Sequence, residues 1–210
     1  MIRFWIFDLD DTLYPKSSGL MRAIGDRIGQ YMVERIGLDP AAALMLREAY
    51  VREYGTTLRG LQARYHIDAA DYLTYVHDVP VEAILKPNSE LDAVLAALPG
   101  EKIIFTNSSM AHTRRVLAAL GISHHFNRII DITMLDYVCK PDLSAYTFVL
   151  SKLDAEPEEC VFIDDSPRNL APARALGIRT VLVGDGPPDA ADFVIPRVVD
   201  LPKVVPALLA

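Results

Sequence analysis

Short apolar runs that stop abruptly at acidic or hydroxyl residues, each followed by a helical pattern, constrain this chain more than any other feature. Ile2 to Phe7 is rich in aromatic and branched residues and ends in Asp8-Leu9-Asp10-Asp11-Thr12. This predicts a buried strand with a polar mouth. After Lys86-Pro87, a helix is expected from about Ser89 to Leu98, closed by Pro99-Gly100. A strand follows over Lys102–Thr106, then a helix over Met110–Leu120 ended by Gly121. The period repeats with a short strand at Arg128–Ile130, a helix at Leu143–Leu153 and a strand at Cys160–Ile163. A helix at Pro167–Leu176 and a strand at Arg179–Val183 complete it. Such alternation implies an α/β fold, a doubly wound, Rossmann-like parallel sheet with helices on both faces. Ligands of such sheets sit beyond the carboxyl ends of the strands.

One segment breaks the pattern. From about Ser17 to Glu82 the apolar residues fall at helical spacing, as in Leu20-Ile24-Ile28-Met32 and Leu44-Ala49-Tyr50-Tyr54, with no convincing strand. The tail from Asp192 to Ala210 reads as a short strand, turns and a final helix. The 210 residues, 51% hydrophobic and 23% charged, can bury a core and suit one domain carrying an insert. The net charge of -7 repels a polyphosphate backbone, so a nucleic-acid polymer is not an expected partner, and small substrates or a cation are favoured. Cys139 and Cys160 cannot build a disulfide framework or a zinc cluster. Three acidic residues within the first eleven positions exclude a secretory signal, and no uncharged apolar run approaches the ~18 residues of a membrane span. A cytoplasmic protein with no membrane partner is expected.

Chemistry is therefore sought just after each strand. Asp8 and Asp10 follow the first, Thr106, Asn107 and Ser108 the second, Asp164 and Asp165 the last strong one, and Lys140 precedes the helix that begins near Asp142. Each cluster also has an ordinary structural meaning. Asp-Leu-Asp-Asp suits a solvated turn, Thr-Asn-Ser-Ser a helix N-terminus, and Asp-Asp-Ser166-Pro167 a capped helix start. Their joint order at strand ends is harder to ascribe to coincidence. His124-His125 lie in an expected loop with no third ligand at metal spacing, so solvated side chains are expected. Cys139 abuts Lys140, yet nothing pairs it with a histidine base.

In that order, Asp8-x-Asp10-x-Thr12, Thr106-Asn107, Lys140-Pro141 and Asp164-Asp165 resemble the four-motif signature of the haloacid dehalogenase superfamily, over residues 1 to 14 and 86 to about 185. The resemblance implies a magnesium-dependent phosphatase. Asp8 would attack the phosphorus of a phosphate monoester and form an aspartyl-phosphate, with Asp10 as general acid and base. Mg2+, a hard cation that wants oxygen ligands, would be held by the side chains of Asp8 and Asp165 and the backbone carbonyl of Asp10. Asp164 would assist directly or through water. Thr106 and the Asn107 and Ser108 N–H groups would bind the phosphoryl oxygens at a helix start, and Lys140 would bind both the phosphoryl group and Asp8. Dehalogenation needs neither the metal nor the acid two residues on, so a phosphatase is favoured over it.

The same resemblance makes residues 15–85 a helical cap inserted into a core of residues 1–14 and 86–210. Within it, Leu13–Gly19 and Tyr54–Leu61 look like the pyrimidine 5'-nucleotidase branch, which implies a loop at Gly55–Leu61 that selects the leaving group, with Arg59 as the substrate contact. Gly55-x4-Gly60 is not a P-loop, because Leu61-Gln62 stands where Lys-Ser/Thr is needed. The cap tyrosines 31, 50, 54, 65, 72 and 75 are expected to build helix packing rather than stack on a base. A phosphate ester of a pyrimidine nucleoside is the leading substrate expectation, with phosphoglycolate or a sugar phosphate as alternatives. A phosphoaspartate receiver and a catalytically inactive binding module are weaker rivals. Oligomeric state is not legible.

Overall fold

A computed structural model describes residues 1–209. The six strands are β1 (Phe4–Phe7), β2 (Glu101–Phe105), β3 (Phe126–Ile130), β4 (Cys160–Asp164), β5 (Arg179–Val183) and β6 (Phe193–Ile195). They form one sheet in the order β3-β2-β1-β4-β5-β6, every pair parallel. The chain winds outward from β1 through β2 to β3, then crosses to the other side of β1 to place β4. The doubly wound sheet therefore has its switch point at β1 and β4, where such folds open a crevice. Phe4 sits opposite both Glu101 and Cys160 in register, so β1, β2 and β4 end side by side.

Strands buried on both faces read as continuous apolar runs, and all four residues of β1 and all five of β4 are buried. Phe105, Tyr146 and Phe162 form a cluster of rings at 5.4 to 5.8 Å. Each such pair adds about 0.5–1.5 kcal/mol beyond its area burial. Trp5 is buried and donates its indole N–H to the Pro99 carbonyl at 2.6 Å. The covering helices are α6 (Ser89–Ala97), α7 (Met110–Leu120), α8 (Leu143–Leu153) and α9 (Pro167–Ala175), with α10 (Val205–Leu209) closing the described chain. Ala210, the last residue of the expected final helix, lies outside the described residues. Among the described residues, no helix is long and apolar enough to cross a membrane.

The chain divides into two compact units, residues 1–15 with 85–210, and residues 16–84. The second is helical: α1 (Leu20–Glu34), α2 (Pro40–Tyr54), α3 (Thr57–Tyr65), α4 (Ala69–Val76) and α5 (Val81–Ile84). Tyr31 packs edge-on against Tyr72 and Tyr75, at 5.0 and 5.3 Å; Tyr31 and Tyr72 are buried in the unit's interior, and Tyr75 lies half-buried at its edge. Leu44 departs from the expected apolar face. It is exposed, and α2 buries Ala43 in its place together with the expected Tyr50. The expected Gly55–Leu61 loop is also corrected. Only Gly55 and Thr56 connect helices, and Arg59 lies in the first turn of α3, its N–H donated to the Thr56 hydroxyl cap at 3.2 Å. Gly60 serves packing rather than a loop, since a Cβ there would lie 2.2 Å from the Tyr50 ring.

Candidate active site

The carboxyl end of β1 delivers Asp8 next to the ends of β2 and β4. The buried Asp8 N–H donates to the Ile163 carbonyl at 2.8 Å, which fixes the exit of the chain from the sheet. Its side chain faces Lys140, whose Nζ donates to Asp8 Oδ1 at 2.7 Å and to Asp164 Oδ2 at 2.8 Å. Thr12 donates its hydroxyl to the other Asp8 oxygen at 3.2 Å. Lys140 is 1% exposed, and its ammonium lies 5.1 and 5.2 Å from the ring centres of Phe105 and Phe162. Such burial costs an isolated cation several kcal/mol, so it needs both its carboxylates. Burial lowers the Lys140 pKa, but Asp164 and Asp8 more than reverse this and hold it above the ordinary ammonium value.

One ammonium does not balance this group. Burial pushes Asp8 well above the usual carboxylate range, Lys140 opposes it, and the charges of Asp164 and Asp165 push it further up. Asp164 is raised in the same way. Carboxylate oxygens of Asp8, Asp164 and Asp165 lie within 4.8 Å of one another. Three hard oxygen donors short of positive charge fit a divalent ion such as Mg2+. Asp164 is already bound by protein donors. Besides Lys140 it accepts the Ser166 N–H at 2.8 Å and Asn169 Nδ2 at 3.1 Å.

Two residues past Asp8 the electrostatics reverse. Asp10 Oδ1 accepts the Tyr14 hydroxyl at 2.5 Å and lies 2.9 Å from His112 Nε2, while Oδ2 accepts the Ser108 hydroxyl at 2.5 Å. Burial raises the Asp10 pKa, yet His112, Ser108 and Tyr14 together hold it below the ordinary carboxylate range. Burial and Asp10 in turn push the Tyr14 phenol far up, so Tyr14 stays a donor. Sequence reading missed both Tyr14 and His112. Their only signal is spacing: Tyr14 is four residues after Asp10, and His112 is four after Ser108 and inside the first turn of α7, on the face toward the strand end.

The second-strand cluster is brought to the same place but not with the expected contacts. The Ser108 N–H donates to the Thr106 hydroxyl at 3.0 Å, so it is spent within the turn. Ser108 acts through its side chain on Asp10. Asn107 holds the lysine segment: its Oδ1 accepts the Lys140 N–H at 2.9 Å and its Nδ2 donates to the Lys140 carbonyl at 3.1 Å. Arg59 belongs to the other unit. The expectation of an isolated His124-His125 pair is corrected too, because Asp92 of α6 stands 3.1 and 2.7 Å from their Nε2 atoms.

The chain has known relatives. A family model described as haloacid dehalogenase-like hydrolase matches residues 2–177. Phosphate metabolism protein 8 of Saccharomyces cerevisiae is 29% identical over 198 residues, which is 86% of this chain and 61% of that protein. The chain thus spans under two thirds of the yeast relative. A glyceraldehyde 3-phosphate phosphatase of Methanopyrus kandleri is 29% identical over 98% of this chain and 97% of its own. Among solved structures, a haloacid dehalogenase-type hydrolase of Bacillus subtilis bound to magnesium superposes with a TM-score of 0.66, at 16% identity over 98% of this chain and 99% of that one. The L-2-haloacid dehalogenase of Xanthobacter autotrophicus superposes with a TM-score of 0.64, at 17% identity over 98% and 99%. At those identities the structural likeness shows the fold.

Proposed function

Because the chain belongs to the haloacid dehalogenase-like hydrolases, we propose that it hydrolyses a small phosphate monoester with Mg2+ through an aspartyl-phosphate on Asp8. The observation that carries the reading is the contrast between Asp8 in a cation-deficient trio and Asp10, two residues on, held by three donors. Displacement of a halide needs neither feature, which favours ester hydrolysis over dehalogenation. In this reading Asp8 and Asp165 would hold the ion by side chain and Asp10 by its backbone carbonyl, with Asp164 positioning Lys140. When bound, the ion supplies charge neutralisation for the phosphoryl oxygens. Lys140 keeps one Asp8 oxygen oriented, and the other, which accepts the longer Thr12 hydrogen bond, would attack phosphorus. Splitting the reaction at a covalent intermediate turns one hard displacement into two easier ones. Asp10, ionised in the free protein, takes the proton of the attacking water in the second half. In the first half it must carry a proton to the leaving oxygen; it takes that proton from solvent as the arriving phosphate dianion raises its pKa.

The substrate is proposed to be a pyrimidine nucleoside 5'-monophosphate, on the likeness of Leu13–Gly19 and Tyr54–Leu61 to that branch. Glyceraldehyde 3-phosphate and phosphoglycolate, named for relatives of the chain, are the competing esters. The test is a comparison of kcat/KM with Mg2+ across UMP, CMP, AMP, GMP, glyceraldehyde 3-phosphate, phosphoglycolate and an aryl phosphate. UMP or CMP should lead, and Arg59→Ala should lower their kcat/KM far more than that of the aryl phosphate. Preference for a three-carbon or two-carbon ester would replace the nucleotide reading and leave the Asp8 chemistry standing.

A further inference from the structure

The cluster of Asp92, His124 and His125 is separate from the catalytic carboxylates. His125 immediately precedes β3 and so lies at the amino edge of the parallel sheet, whereas Asp8, Thr106 and Asp164 end their strands at the carboxyl edge. A five-residue strand separates the two edges by about 15 Å. Two adjacent residues in a 3-10 turn ordinarily point apart, yet these imidazoles lie 4.0 Å apart between ring centres and aim the same nitrogen at the same oxygen. His124 Nε2 is 3.1 Å and His125 Nε2 2.7 Å from Asp92 Oδ1. All three ligand atoms fall within 4.8 Å of one another.

We propose that Asp92, His124 and His125 bind a divalent transition-metal ion of the zinc, nickel or copper type. Two imidazoles and one carboxylate suit such borderline ions and not Mg2+, which prefers oxygen alone. Zinc bonds of ~2.0–2.1 Å in a tetrahedron place neighbouring donor atoms about 3.3 Å apart, near the 3.1 and 2.7 Å that separate the two imidazole nitrogens from Asp92 Oδ1. The ligands are carried on a braced scaffold. The N-cap Asn88 donates its backbone N–H to the Leu120 carbonyl at 3.0 Å, tying the start of α6 to the end of α7 three residues before the turn. The His125 side chain is 10% exposed and that of His124 is 63% exposed. One ligand is thus anchored while the other opens to solvent, leaving a coordination position for water. Bound there, an ion links α6 to the α7–β3 connection and stabilises the folded core by mass action.

The competing account is a plain hydrogen-bond network, two imidazole N–H groups on one carboxylate, and the experiment separates the two. The whole chain is titrated with Zn2+ by calorimetry under saturating Mg2+, which occupies the Asp8 trio, and with Cu2+ by electron paramagnetic resonance. A single tight Zn2+ and a copper spectrum showing nitrogen hyperfine coupling are expected. His124→Ala, on an exposed side chain, and Asp92→Asn should each weaken Zn2+ binding by about ten-fold or more. Asp8→Asn should leave it in place. Absence of Zn2+ binding in the presence of Mg2+, or an affinity unchanged in His124→Ala, overturns the site, as does zinc binding that disappears with Asp8→Asn. The His124→Ala and Asp92→Asn readouts do not depend on the phosphatase reading.

Discussion

Asp8 and Asp10 are separated by a single residue and both are buried in the electrostatic sense, yet their environments drive them in opposite directions. Around Asp8 the neighbours are two further carboxylates, Asp164 and Asp165, and one lysine that Asp8 shares with Asp164, so burial and like charge together raise its pKa. Around Asp10 the neighbours are a tyrosine four residues on and a serine and a histidine from the junction of β2 and α7, and their donors outweigh the same burial. Depth alone therefore does not set the charge of a buried carboxylate; the identity of what faces it does. The first region is built to receive a cation, the second to keep one carboxylate in a fixed orientation.

The contrast breaks most sharply by neutralising each acid in turn. Asp8→Asn should abolish hydrolysis of every ester, a loss of at least about 10⁴-fold, because no other group is placed to form the acyl-phosphate. Asp10→Asn should cost about 10²–10⁴-fold on alkyl esters and much less on an aryl phosphate, whose leaving group needs little protonation. Steady-state rates on paired alkyl and aryl esters check both, and equal losses on the two esters in Asp10→Asn would remove its proton-transfer role. Next in size comes His112→Ala, which takes one donor from Asp10. About 10–100-fold lower kcat is expected on alkyl esters, within the range of general acid–base effects, with near-normal rates on aryl phosphate. His112→Gln, which retains an N–H donor, should recover part of the loss.

The smallest effect is on stability, and it reads the two regions at different pH. The folded pKa of Asp8 is raised, so the folded state holds more protons than the unfolded one, and stability falls as pH rises above about 4, the ordinary carboxylate value. The folded pKa of Asp10 is lowered, so its contribution is present above that value and is lost as pH falls below it. Mg2+ should relieve only the first. The rise in Tm on adding Mg2+ should grow by a few degrees between pH 5 and 8, as differential scanning calorimetry would report. A rise that is independent of pH would mean that Asp8 is not the group the ion relieves.

The order of elements was legible because local periodicity and capping carry it. Met110–Leu120, Leu143–Leu153 and Arg179–Val183 have the bounds their patterns predict, each helix ending where a residue in the left-handed region, Gly121 or Asp154, stops it. The segment around Arg59 departs from the loop that the resemblance implies, because Gly60 sits inside a helix. Its need for a glycine is set by Tyr50 ten residues away, a neighbour only packing supplies. The polar residues at strand ends were likewise visible, since a parallel sheet exposes that edge by its topology.

By itself, then, the sequence determined the strand–helix alternation, the helical insertion between β1 and β2, and which polar residues follow which strands. Tertiary structure alone decided how those residues are paired. It gave Lys140 a second carboxylate in Asp164, spent the Ser108 N–H on Thr106, turned Tyr14 and His112 onto Asp10, and set Asp92 against two histidines. The physical reason is range. Periodicity and capping act over three or four residues and can be read along the chain, whereas each of these pairs but two joins segments that only sheet register and helix packing bring together. The exceptions, Ser108 on Thr106 and Tyr14 on Asp10, are local in sequence but lie in turns whose course no repeat announces.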